Sequence, residues 1–127
     1  MTQTHSVADT TIDTYTDALV GDWLSLDEMA TRLGLDPKRA KQLIREHKLL
    51  AVHRAGGLRV PAAFIHEGQV LKGLSGTLTV LADAGYDEVA ALRWMFTADD
   101  TLPGTPVQAL SENRGTEVRR RAQALAF

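Results

Sequence analysis

Apolar residues first recur at helical spacing at Leu26, Met29, Ala30 and Leu33, which predicts a helix of about two turns. Ser25 and Glu28 stand ahead of it at the spacing of a capping box, and Gly34 supplies the stop. A second start follows at once. Asp36 can cap free backbone N–H groups and Pro37 fits the first helical position, so a helix is expected to about His47, with Ala40, Leu43 and Ile44 on its apolar side. Only Gly34 and Leu35 separate the first helix from the second cap, the short glycine-containing turn of a helix-turn-helix.

From Leu49 to Val60, β-branched and apolar residues flank Ala55-Gly56-Gly57, predicting a two-stranded hairpin whose glycines admit positive φ. Pro61 can begin a helix through Phe64 and Ile65, and Gly68 to Gly76 reads as a looser region. Further helices are expected from about Thr77 to Ala84, from Asp87 to Phe96, after Thr105-Pro106, and from Thr116 onward. Before Gly21, Thr and Asp dominate without sustained periodicity, which predicts a disordered acidic tail over residues 1–20. The expected fold class is mainly α with a small β-hairpin wing: a winged helix-turn-helix over 21–66 and a helical part over 67–127 packed on it as one compact domain.

Charge changes the picture. The net charge of −2 conceals six acidic residues and no Lys or Arg from Met1 to Glu28, against seven basic and two acidic residues from Asp36 to Arg59. Such asymmetry points to an anionic partner for the basic block. In a helix-turn-helix, early exposed side chains of the second helix reach base edges. Lys38, Arg39 and Gln42 occupy those positions, and Arg suits guanine as Gln suits adenine. Lys41, Arg45 and Lys48 are candidates for phosphate, and the hairpin adds Arg54 and Arg59 with Gly56 and Gly57 at its tip. The partner expected from these ten residues is double-stranded DNA.

Other chemistries find little support. The chain has no cysteine, and His5, His47, His53 and His66 lack paired ligand spacing, so neither a metal site nor a cofactor is expected. Gly56-Gly57 lacks the helix and Lys of a phosphate-binding loop, no catalytic residues are assigned, and the expectation is a protein that is not an enzyme. No apolar run approaches the roughly 20 residues of a membrane span, which argues for a cytoplasmic protein without a membrane partner. The cluster Leu92, Trp94, Met95 and Phe96 reads as packing before it reads as a partner surface.

The stretch Trp23-Leu24-Ser25-Leu26 through Val60-Pro61 resembles the winged helix-turn-helix of excisionases and MerR-type regulators. More closely, Leu50-Ala51-Val52-His53-Arg54-Ala55-Gly56-Gly57, Gly68-Gln69-Val70, Gly85-Tyr86, Arg93-Trp94-Met95-Phe96-Thr97 and Val118-Arg119-Arg120-Arg121-Ala122-Gln123-Ala124 resemble an actinobacterial family of winged helix-turn-helix DNA-binding regulatory proteins. Its mycobacterial member is a substrate of the Ser/Thr kinase PknL. The resemblance runs from about Gly21 to Phe127 and implies DNA binding, transcription regulation and control by a Ser/Thr protein kinase. It carries over no phosphosite, and the tail threonines Thr10, Thr11 and Thr14 are the candidates by position. The segment Ala91 to Phe127 also resembles the toxin-binding domain of Xre/ParS-type antitoxins, so a protein acting mainly through another protein is the alternative. Monomer and dimer both stay open.

Overall fold

The computed structural model describes residues 12–54 and 56–126. The order is α1 (Thr14–Val20), β1 (Trp23–Ser25), α2 (Leu26–Leu33), α3 (Pro37–Arg45), β2 (Val52–Arg54), β3 (Gly57–Pro61), a 3₁₀ turn (Ala62–Phe64), β4 (Ile65–His66) and β5 (Gln69–Val70). The helices α4 (Leu74–Asp83), α5 (Glu88–Met95), α6 (Pro106–Ser111) and α7 (Gly115–Ala124) complete it. The fold is a winged helix-turn-helix followed by helices, as the sequence predicts.

The two capping signals form as read. Ser25 Oγ accepts from the Glu28 N–H at 3.1 Å while Glu28 Oε1 accepts from the Ser25 N–H at 2.8 Å, closing a full capping box on α2. Asp36 caps α3 by accepting from the Arg39 N–H at 2.9 Å. The hairpin pairs Arg54 with Gly57, and β3 pairs on its other edge with β1, giving the order β1-β3-β2. That third strand was not expected, because three residues are too few to show a period.

Four other boundaries differ. Residues 14–20 form a helix where a disordered tail is expected; Asp13 caps α1 by accepting from the Thr16 N–H at 2.7 Å. Ile12, Leu19 and Val20 pack on the core and Thr16 is fully buried. The α3 helix ends at Arg45, because His47 takes a left-handed φ of 58° and its N–H and that of Lys48 turn back to the Ile44 and Leu43 carbonyls. Pro61 opens only a 3₁₀ turn, and within the supposedly loose 68–76 stretch β5 pairs with β4 and α4 begins at Leu74.

One hydrophobic cluster runs from Leu24, Met29 and Ala40 through Val60 and Phe64 to Leu92, Met95 and Val118. Phe64 and Phe96 join the wing to α5 with ring centroids 5.7 Å apart. Leu92, Met95 and Phe96 are buried and Trp94 is half-buried against them, consistent with packing. Among the described residues no helix is long and apolar enough to cross a membrane.

Candidate nucleic-acid interface

Buried Ala40 and half-buried Leu43 and Ile44 hold α3 against the core, and the short turn keeps it packed on α2. At about 100° per residue, Lys38, Gln42 and Arg45 then lie opposite the packed side, with Lys41 and Arg39 on the two flanks. All five are exposed, as is Lys48 just beyond the helix. Among the described residues no carboxylate is ion-paired to Lys38, Arg39, Lys41, Arg45 or Lys48. This face therefore offers five cations with no internal neutralisation. Gln42 is partly committed, since its Nε2 donates to Glu46 Oε2 at 3.0 Å; its carbonyl oxygen and second N–H remain for a base edge.

The wing differs from this open face. Arg54, at the end of β2, donates from both terminal nitrogens to the two carboxylate oxygens of Asp17 at 2.8 and 2.9 Å. Its guanidinium lies 5.1 Å from the Trp23 ring centroid, and the Trp23 indole N–H donates to the same Asp17 at 2.8 Å. Bidentate geometry, a cation–π contact and a second donor make a tight local network. The Arg54 bonds first, and the Trp23 bond second, hold the Asp17 carboxyl below its ordinary range, while Arg54 is raised by the same pair. The wing cation of β2 is thus directed toward α1.

Arg59, on β3, folds back over the tip instead. Its Nη1 donates to the Leu58 carbonyl at 2.9 Å, and a Cβ on Gly56 would meet its Nη2 at 3.0 Å. Gly56 and Gly57 carry φ of 92° and 118°, so the turn needs glycine for its backbone and Gly56 also leaves room for Arg59. Electrostatic attraction to Arg59 is a minor contributor to the lowered Glu28 carboxyl, after the Ser25 backbone and hydroxyl bonds.

Of the ten residues singled out from sequence, six form a continuous exposed surface on and beyond α3. Gly56, Gly57 and Arg59 form the wing tip, and Arg54 sits in an internal ion pair. The residues missed were Asp17 and Trp23. A signal existed for α1, since Ile12, Thr16, Leu19 and Val20 have helical spacing, but Thr16 reads as polar. Its hydroxyl is satisfied by Arg93 Nε at 2.8 Å, 77 positions away, and Arg93 also pairs with Asp13. Of the candidate phosphosites, Thr14 is exposed at the first position of α1; Thr10 and Thr11 lie outside the described residues. No group of three or more metal-ligating side chains occurs among the described residues.

Known proteins resemble this chain in sequence and fold. Residues 11–65 match the family described as "DNA-binding protein Rv2175c, wHTH domain", and residues 71–126 match "Rv2175c C-terminal domain of unknown function". The first match begins ten residues before Gly21, so the family likeness includes α1. The DNA-binding protein Rv2175c of Mycobacterium tuberculosis (strain ATCC 25618 / H37Rv) is 41% identical over 115 residues, covering 80% of this chain and 79% of that protein. The NMR structure of Rv2175c matches with a TM-score of 0.75 at 36% identity, covering 94% of this chain and 87% of that one.

Proposed function

The chain belongs to the family of the DNA-binding protein Rv2175c, and from that membership we propose that it binds double-stranded DNA sequence-selectively and regulates transcription. The observation that carries this reading is the unpaired basic face of α3. In the proposed complex α3 enters the major groove, Lys38, Arg39 and Gln42 meet base edges, and Lys41, Arg45 and Lys48 hold phosphates. Arg59 and the Gly56-Gly57 tip approach the adjacent backbone. No step of this is catalytic, and no cofactor is needed.

We further infer that a Ser/Thr kinase controls binding through the N-terminal segment. The acidic segment has no Lys or Arg of its own, yet Asp17 and Asp13 already engage Arg54 and Arg93. A phosphate on Thr10, Thr11 or Thr14 adds about −1.5 to −2 charges on the segment that holds the wing. It repels the DNA backbone and weakens binding.

Selection of bound duplexes from a random pool by the purified full chain tests the main reading. The selected duplex should outcompete a scrambled one by about 10³-fold or more. Equal competition would leave only charge-driven association and overturn sequence selectivity.

A further inference from the structure

A groove lies where the end of α3 meets the α4–α5 turn. It encloses about 490 Å³, within the roughly 300–1,000 Å³ typical of small-molecule sites. Leu50, Leu78 and Ala91 supply an apolar floor, while Asp83, Asp87 and Glu88 line it with no Lys or Arg among the lining residues. The floor calls for a hydrocarbon or aromatic body, and the rim for positive charge.

The backbone adds to that negative potential. His47, which closes α3, and Asp83, the last residue of α4, both line the groove, so two helix C-termini, the negative ends of their dipoles, meet there. The N-terminus of α5 is the opposing pole, but Asp87 caps it by accepting from the Ala90 N–H at 2.8 Å and Glu88 stands in its first turn. Asp83 differs from these two. It is exposed, its side chain has no hydrogen bond or ion pair among the described residues, and it sits at the helix end where a carboxylate is disfavoured.

We propose that this groove binds a small apolar organic cation, its body against Leu50, Leu78 and Ala91 and its charge beside Asp83. The half-buried Tyr86 ring at the α4–α5 turn contributes a π face for the same charge. A neutral apolar molecule gains only the floor, and an organic anion is repelled by the rim. The site needs no DNA, so it stands or falls separately from the proposed regulator function.

The test is a titration of the full chain, followed by ¹H–¹⁵N amide shifts, with tetraphenylphosphonium and with tetraphenylborate, its near-isosteric anion. The expected result is saturable shifts from the cation alone, centred on His47, Leu78 to Asp83 and Tyr86 to Ala91. Asp83→Asn should weaken binding about three- to fivefold. Ala82→Arg, at an exposed groove position of α4, should weaken it by more than about tenfold while leaving the thermal midpoint unchanged, because it places a competing cation at the rim. Absence of saturable shifts, shifts centred elsewhere, equal binding of tetraphenylborate, or indifference to Asp83→Asn would each overturn the proposal.

Discussion

Asp17 holds Arg54 through two parallel hydrogen bonds of 2.8 and 2.9 Å, fastening the wing to a helix that begins 40 positions earlier in the chain. Both side chains remain partly exposed, at 27% for Arg54 and 38% for Asp17, so the pair competes with solvent and with any phosphate that approaches the wing. Asp17→Asn keeps an acceptor for the Trp23 indole but removes the charge and one of the two paired oxygens. Arg54 then becomes available to DNA, and the log–log salt slope should steepen by about one. An unchanged slope would mean that the wing cation plays no part at the duplex.

The same contact sets a pH limit on α1. Bonds from the Thr16 backbone, the Thr16 hydroxyl and Arg93 lower the Asp13 carboxyl, and Arg54 with Trp23 lowers Asp17. Carboxyls with depressed folded-state values contribute stability that is complete above their unfolded values and is lost as the pH falls through the folded ones. Docking of α1 should therefore persist at neutral pH and loosen only below about pH 4. The Trp23 indole N–H resonance reports it directly. Loss of that resonance shift near neutrality would contradict the ion-pair description.

Capping was legible in the sequence because its partners are local: Ser25 with Glu28, and Asp36 with Arg39, are three residues apart. The wing was legible because two adjacent glycines divide two apolar runs. The Arg54 network was not, since its partners lie 37 and 31 positions away and the helical spacing of Ile12, Thr16, Leu19 and Val20 is masked by a threonine that reads as polar although it is buried. The exposure of the cationic face of α3 follows from its helical periodicity, whereas the charge of Arg54 and its place on the hairpin carry no information about neutralisation by a distant helix.

His47 offers a test of local strain. It occupies the left-handed position that glycine fills after α2 and α4, at Gly34 and Gly85. His47→Gly removes a side chain from a conformation that costs about 1 kcal/mol for an ordinary residue, and should raise stability by roughly 0.5–1 kcal/mol in urea denaturation. A loss of stability would show that the imidazole makes a compensating contact.

Phe64 tests whether the two parts matched by separate family descriptions fold as one. It is fully buried and meets Phe96 across the boundary. Phe64→Ala should cost about 3–5 kcal/mol, and probes in α3 and α7 should still report one coincident transition. Separate midpoints would mean that the C-terminal helices fold independently.

The kinase reading predicts that phosphorylated protein binds a selected duplex more weakly at fixed salt, and that replacing Thr10, Thr11 and Thr14 together by Ala abolishes the effect. Thr16 is excluded in the folded state by its complete burial. Phosphate on the segment with unchanged or tighter DNA binding would end the electrostatic explanation.

The most direct test of DNA binding by the exposed face of α3 is the affinity of the purified chain for a selected duplex across a salt series, repeated with Arg39→Ala, Gln42→Ala and Lys48→Ala. With Lys41, Arg45, Lys48 and Arg59 on phosphates, log K against log salt should have a slope near about −4. Lys48→Ala should flatten that slope by about one and weaken all sequences alike, while Arg39→Ala and Gln42→Ala should each relax preference by about 1–3 kcal/mol at one base position. A flat salt response, or equal sequence-independent losses from all three substitutions, would contradict the assignment of α3 as the element that reads DNA.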